Sequence, residues 1–347
     1  MTKKIMLTGA TGFVGRALAE RLLAEGHSIR ALMRDPGKST LAHPSLEVIA
    51  GDVRDPQAVR DAMRGCNLAY YLVHGLGEPG SFEHEEALSA QVFTHCSNES
   101  GLERILYLGG LGNADADSPH LRSRHLTGKI LALGRAKVLE FRASIVLGAG
   151  STSYEIMKAL VARVPVIPDP RNLRELCQPI HVDDLLDYLS AGIFVHLDGS
   201  CVVEVGGNEQ IAYSALLERL ARQAGLSRKI IPLPDLDPRL LGEVFELVVP
   251  EYGRVGRHLI ESLVHPTVVT EDSARRMFPW IKPKDLDGAF QSIGESGLPF
   301  SALLSRAHLV RVVGALIERF PQLGILKGIQ NEGALYQFLA KQMAGFK

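Results

Sequence analysis

Cysteine is scarce in this chain. Cys66, Cys96, Cys177 and Cys201 lie far apart and form no CxxC pair. That argues against a disulfide framework or a zinc site and points to a reducing compartment, the cytoplasm. Charge of one sign is missing too. The 38 Lys/Arg against 39 Asp/Glu give a formal net charge of −1, so no basic field is present to attract nucleic acid. No uninterrupted apolar run approaches a membrane span, and the opening MTKKIMLTGATG lacks the apolar core of a signal peptide. With 46% hydrophobic and 22% charged residues, disordered and low-complexity classes are excluded.

Glycine, by contrast, is abundant: 34 residues in 347, nearly one in ten against a usual value of roughly 7%. The first of them punctuate a regular alternation. Ile5–Leu7, Ser28–Met33, Leu46–Ile49, Leu68–Val73, Arg104–Leu108 and Val138–Val146 read as strands. Between them Val14, Leu18 and Leu22 recur at helical spacing until Gly26. Asp55-Pro56 starts a second helix that Gly65 ends, and helices are also expected from Ser81 to Ser100 and from His120 to Leu133. Strict strand–helix alternation predicts an α/β fold, a Rossmann-type doubly wound parallel sheet with ligands beyond the carboxyl ends of the strands.

After residue 150 the texture changes, because 13 of the 18 prolines lie there. Helices are expected over Ser153–Arg163, Asp183–Leu197 and Tyr213–Gly225, and strands over Cys201–Val205 and Lys229–Leu233. These suggest a smaller interwoven α+β lobe. Near the end, Leu309, Val312, Val313, Leu316, Ile317 and Phe320 form one apolar helical stripe. Residues 298–347 carry six Lys/Arg and two Glu. This helical tail reads as docked on the domain, or as a contact for a protein partner or a membrane surface.

Thr8-Gly9-Ala10-Thr11-Gly12-Phe13-Val14-Gly15 sits between the first strand and the first helix. A first glycine allows the tight turn, a second lets backbone approach a pyrophosphate, and a third lets helix and strand pack closely. The helix N-terminus then offers free N–H groups to phosphate. Gly9, Thr11, Gly12, Phe13, Val14 and Gly15 are thus candidate cofactor contacts. At the end of the second strand, where an acid would hold a ribose 2′-hydroxyl, stands Arg34, followed by Asp35. A guanidinium suits a 2′-phosphate, so NADP(H) is expected over NAD(H).

With these residues in place, the chain resembles the atypical and extended short-chain dehydrogenase/reductases, especially the NmrA-like NAD(P)H-binding proteins. TGATGFVG resembles that family's opening signature. Gly51-Asp52-Val53 is similar to its adenine-contacting segment, and Tyr70-Tyr71-Leu72-Val73-His74-Gly75 to the strand and loop under the cofactor. Arg142–Gly148 and Gln178–Asp184 resemble the sixth strand and the turn that re-enters the core. The resemblance implies cofactor contacts at Asp52, Val53, Leu72, Val73, His74, Gly109 and Lys129. It also implies an NAD(P)-binding Rossmann domain over 1–150 with a returning segment 178–205, a substrate lobe over 151–297 and the tail over 298–347.

Typical members pair a Ser with a YxxxK motif, whose Tyr is general acid or base and whose Lys holds the nicotinamide ribose. Here the Ser position reads Leu108-Gly109-Gly110-Leu111-Gly112 and the motif reads His125-Leu126-Thr127-Gly128-Lys129. His125 and Lys129 are therefore the candidate catalytic pair, one helical turn apart, against a binding or structural role for His125 and a reading of Lys129 as an exposed helix lysine. Arg122 and Arg124 are candidates for holding an anionic substrate against a reading as surface charges, and Tyr154 for supplying a phenol. Cys96 lacks an activating base, and His84 and His95 are too far apart in sequence for adjacent helical metal ligands; no metal is expected. Two functions remain open. One is an oxidoreductase moving hydride between NADP(H) and a small carbonyl, alcohol or enone. The other is a non-catalytic NADP(H)-sensing regulator or assembly factor, which the missing hydroxyls favour. Sugar-nucleotide epimerisation ranks last because it needs the Tyr.

Overall fold

The computed structural model describes residues 2–74, 82–112, 118–164, 166–171, 174–234, 237–253, 255–256 and 265–294. The tail stripe at 309–320 lies outside them, as do Gly75 and Ser81. In chain order the strands are β1 (Lys4–Thr8), β2 (Ser28–Met33), β3 (Leu46–Ala50), β4 (Leu68–Tyr71), β5 (Arg104–Gly110), β6 (Lys137–Ala143), β7 (Val146–Leu147), β8 (Val166–Pro170), β9 (Leu176–Cys177), β10 (Ile180–His181), β11 (Cys201–Val205), β12 (Ile211–Ala212) and β13 (Lys229–Leu233). The longer helices are α1 (Phe13–Ala24), α2 (Pro56–Met63), α3 (Phe82–Ser100), α4 (Pro119–Ala132), α5 (Thr152–Arg163), α6 (Val182–Ala191), α7 (Tyr213–Gln223) and α8 (Pro238–Val248).

The chain divides into two compact units. The first comprises Met1–Ser151, Leu176–Gln210 and His265–Ser292. Its centre is a seven-stranded sheet in the order β11-β6-β5-β4-β1-β2-β3, parallel throughout. The order reverses between β1 and β4, the topological switch point where such sheets bind ligands. Side-chain alternation sorts the apolar strands onto two cores. Ile5, Leu7, Ile29, Ala31 and Tyr70 join Leu18 and Leu22 of α1 and Leu185 and Leu189 of α6. Met6, Leu32, Ala69 and Tyr71 join Val59 and Ala62 of α2, Phe93 of α3 and Leu131 of α4. A strand buried on both faces cannot alternate with polar residues, which is why these runs read as continuous apolar stretches.

Caps set the helix starts. Asp55 accepts from the Gln57 amide at α2, and Ser118 accepts from Leu121 at α4. Gly26 and Gly65 close the preceding turns at φ 86° and 74°, values a side chain would strain.

Two expectations are corrected. The sixth strand stops at Ala143 rather than running to Val146. Val146–Leu147 instead pairs with Ile180–His181, and between them the Ser144 hydroxyl hydrogen-bonds Thr267 Oγ1 at 2.7 Å. The helix expected over Asp183–Leu197 ends at Ala191. Arg104 takes its last carbonyls, donating to Gly192 and Ile193 at 2.8 and 2.7 Å, and a side chain at Gly192 would collide with Leu106.

Residues 265–292 also belong to the first unit, a return that the proline-rich sequence does not signal. Phe278 anchors them, fully buried with its ring 5.8 Å from Phe141 and 5.6 Å from Tyr188.

The second unit comprises Thr152–Glu175, Ile211–Val264 and Ile293–Lys347. In it β8 and β13 pair in parallel. Ile156 and Ala159 of α5 pack with Phe245, Val248 and Val249. Arg163 ties α5 to the end of α8 through the Val248 carbonyl at 2.9 Å.

Candidate functional site

A cleft of about 590 Å³ opens at the switch point of the first unit. Its floor is the turn after β1. Gly9 adopts φ 73°, and a Cβ there would stand 2.6 Å from the Leu72 carbonyl oxygen. A Cβ at Gly15 would collide with the Gly9 carbonyl. Gly12 turns the chain into α1, its amide donating to Gly9 O at 2.9 Å. No side chain caps α1 and no acid stands in its first turn, so its leading N–H groups and positive dipole end stay available to an anion. Thr8 Oγ1 locks the neighbouring strand end by donating to Tyr70 O and accepting from the Leu72 amide. A tight turn that tolerates no Cβ at Gly9 or Gly15, beside an uncapped helix start, fits a dinucleotide pyrophosphate.

The ends of β2 and β3 form the next wall. Arg34, Asp35 and Lys38 line it. The Asp35 carboxylate caps a short 3-10 turn over Pro36–Lys38, accepting from the Gly37 amide at 3.1 Å, with Lys38 Nζ at 3.7 Å. Beyond β3, Asp52 is held by Arg54. Its Oδ1 accepts from the Arg54 amide and Nε at 2.8 and 2.9 Å, and its Oδ2 from Nη2 at 2.9 Å. These bonds hold the Asp52 carboxyl below its ordinary pKa despite partial burial, with Arg34 adding to the effect. A carboxylate has about four acceptor sites, so this grip leaves room for one further donor. Arg54 also reaches Glu85 of α3 at 2.6 Å, fastening the loop to the helix.

Of the residues singled out in the sequence, Gly9, Thr11, Gly12, Arg34, Asp52, Val53, Leu72, Val73 and His74 line the cleft. Phe13, Val14, Gly15, Gly109, His125 and Lys129 do not line it. Phe13 instead points toward Gly148, where a Cβ would stand 2.5 Å from its ring. Val14 packs on the apolar core. Arg54, Glu85, Glu86 and Ser89 do line the cleft and carried no sequence signal. The acids and serine sit on the face of α3, and only packing brings that face to the strand ends.

His125 lies on α4 and is only 2% exposed. Its Nε2 meets the Gly110 carbonyl oxygen at 3.0 Å. A carbonyl only accepts, so in the neutral ring Nε2 carries the proton and Nδ1 the lone pair. Nδ1 is buried with no partner among the described residues. Burial, then the charge of Arg142, with lesser contributions from Lys129 and Arg124, lowers the His125 pKa and keeps the ring neutral. Lys129 is exposed one turn on. Arg122 lies 3.6 Å from Glu83, and Arg124 donates to the Leu108 carbonyl. Tyr154 is buried in the second unit, where burial raises its pKa. Among the described residues no cluster of three or more His, Cys, Asp or Glu is placed to hold a metal, and no helix is long and apolar enough to cross a membrane.

Comparison with known proteins agrees with this geometry. Residues 9–140 match a family model described as NAD(P)H-binding. Over 235 residues the chain is 24% identical to ceramide reductase of Caulobacter vibrioides, covering 67% of this chain and 74% of that protein. Three other curated relatives are matched over about a third of their own length. Among solved structures, Citrobacter sp. triphenylmethane reductase complexed with NADP(H) superposes with TM-score 0.68 at 15% identity, covering 83% of this chain and 99% of that one. A short-chain dehydrogenase/reductase superfamily protein from Agrobacterium tumefaciens with bound NAD gives 0.62 at 14% identity, covering 98% and 99%.

Proposed function

We propose that this chain, whose residues 9–140 match an NAD(P)H-binding family model, is a short-chain dehydrogenase/reductase and an NADP(H)-dependent oxidoreductase acting on a small carbonyl, alcohol or enone. The observation that carries the reading is the turn of Gly9 and Gly12 that lines the cleft at the switch point, with the uncapped start of α1 beside it. When bound, the nicotinamide supplies the hydride. The chain's own residues bind and orient. The α1 amides take the pyrophosphate, Asp52 and Val53 take the adenine, and Leu72, Val73 and His74 form the surface under the nicotinamide half.

Preference for NADP(H) rests on Arg34 and Lys38 at the ribose end of the cleft. The acid that would favour a free 2′-hydroxyl, Asp35, holds its own turn through the Gly37 amide and is faced by Lys38. In this reading His125 handles the proton. Its Nδ1 lone pair accepts it from an alcohol, and the resulting imidazolium returns it in the reducing direction. Lys129 reaches the cofactor ribose, and the free thiols, three of the four buried, fit a cytoplasmic setting.

Relatives named as reductases and dehydrogenases favour catalysis over a purely sensing role. The test is to mix purified protein with NADPH and a panel of aldehydes, ketones and enones while following nicotinamide absorbance. Substrate-dependent loss is expected. Tight NADPH binding with no loss across the panel contradicts the enzyme reading.

A further inference from the structure

The missing hydroxyl at the end of β5 is not an empty place. A Cβ at Gly109 would stand 2.8 Å from Glu140 Oε1 and 3.5 Å from Arg142 Cγ. On α4, a Cβ at Gly128 would collide with the same carboxylate. Two glycines on two elements thus make room for one acid. Glu140 is 4% exposed and accepts from Arg142 Nε at 2.7 Å. Residue pairing sets Arg142 directly beside Gly109 at the carboxyl end of the sheet.

The arginine has more to give. A guanidinium has five N–H donors in a fixed fork, and only Nε has a partner among the described residues. His125, whose imidazole feels the Arg142 charge, keeps a buried Nδ1 lone pair without a partner among the described residues; that lone pair suits a donor such as a substrate hydroxyl, leaving an acid group to the arginine. The charges acting on that imidazole are all positive, from Arg142, Lys129 and Arg124. Lys129 makes no hydrogen bond or ion pair among the described residues. Glu140 offsets part of the Arg142 charge, and the N–H edge of the guanidinium turned away from Glu140 suits an acceptor-only, anionic group better than a neutral one.

We propose that Arg142, steered by Glu140 and set beside His125, is a subsite for a carboxylate group of the substrate. The proposal rests on the oxidoreductase reading and adds to it a substrate class, a carbonyl or alcohol compound that also bears a carboxylate. Arg142 is the binding residue, through the outer edge of its guanidinium. Glu140 is a positioning residue that fixes the plane of that fork.

The experiment uses the full chain saturated with NADP+, carbon-13-labelled at histidine, with the His125 ring signal assigned from a His125→Gln variant. Oxamate, a small carboxylate, is titrated against oxamide, its uncharged counterpart. The expected result is a saturable shift of the His125 signal with oxamate and none with oxamide. Arg142→Met should weaken oxamate at least about tenfold and Arg142→Lys a few-fold, because lysine keeps charge but not the fork. Glu140→Gln should weaken it several-fold while NADP+ affinity stays at the wild-type value, a split that general structural damage would not produce. The lysine variant keeps the test decisive if the methionine variant does not fold. No saturable shift in the wild type, an equal response to oxamide, or undiminished oxamate binding in both Arg142 variants overturns the subsite. Wild-type protein that fails to bind NADP+ at all brings down the oxidoreductase reading and the subsite together. NADP+ bound with oxamate ignored removes the subsite alone.

Discussion

The carboxylate of Asp35 accepts a hydrogen bond from the Gly37 amide at 3.1 Å. In the proposed reading, that local bond bears on cofactor choice at the Arg34 end of the cleft. An acid in this zone would usually prefer a 2′-hydroxyl, but this one closes a turn that brings Lys38 to the wall beside Arg34. Replacing Arg34 with Ala should lower NADPH affinity about tenfold, equal to ~1.4 kcal/mol, and leave NADH affinity near the wild-type value. Paired fluorescence titrations with the two cofactors check this. Equal losses for both would place the 2′-phosphate elsewhere.

Gly15 ties packing to binding. Its Cβ would meet the Gly9 carbonyl, backbone that cannot rotate away. Gly15→Ala should destabilise the first unit by roughly 2–4 kcal/mol and abolish cofactor binding, as read by urea unfolding. Alanine at Gly101, where nothing stands within 4 Å of an added Cβ, should be tolerated better, with only the strain of its φ of 71° to bear.

His125 makes stability depend on pH in a known direction. Its folded-state pKa lies below the ordinary value of about 6.5. On acidification the unfolded chain therefore takes up the proton first. The contribution of His125 is fully present above about pH 6.5 and is lost as pH falls from there toward its folded-state value. His27 and His181 are shifted the same way, chiefly by burial, so the whole chain should weaken over that range. A His125→Gln variant should lose less stability than wild type between pH 7.5 and pH 5.5, measured as the change in urea midpoint. An identical change would mean that the ring is not held neutral.

The thiols should be inert in the native state. Burial pushes Cys66 up to about 11 and Cys177 up to about 12, and Cys96 and Cys201 are raised as well. At about pH 8 a thiol with a pKa of 11 is ionised in only about one molecule in a thousand. An aromatic disulfide reagent should label the native chain slowly and all four cysteines after denaturation.

Much of the fold could be read from the chain because its signals are local. Ser28–Met33 and Cys201–Val205 stand as strands within the expected bounds, since β-branched and apolar runs between glycines leave few alternatives. The glycine turn after β1 was legible for the same reason, its glycines being required by neighbours within eight residues or by a strand end. What stayed hidden depends on distant packing. Phe278 gives no sign in sequence that it closes a core with Phe141 and Tyr188. Arg54 reads as a loop charge until α3 brings Glu85 to it. Glu140 reads as a polar interruption of an apolar strand, and only the glycines at 109 and 128 reveal that the structure is built around its carboxylate.

The central claim, that this chain moves hydride between NADP(H) and a carbonyl compound, is tested most directly by isotope transfer. NADPH carrying deuterium at nicotinamide C4 is mixed with the protein and a carbonyl panel that includes carboxylate-bearing members, and products are examined by mass spectrometry. The account predicts deuterium on the former carbonyl carbon, or on the β-carbon of an enone, in step with cofactor oxidation. Cofactor that binds but is never consumed, or is consumed with no label in any product, would contradict it.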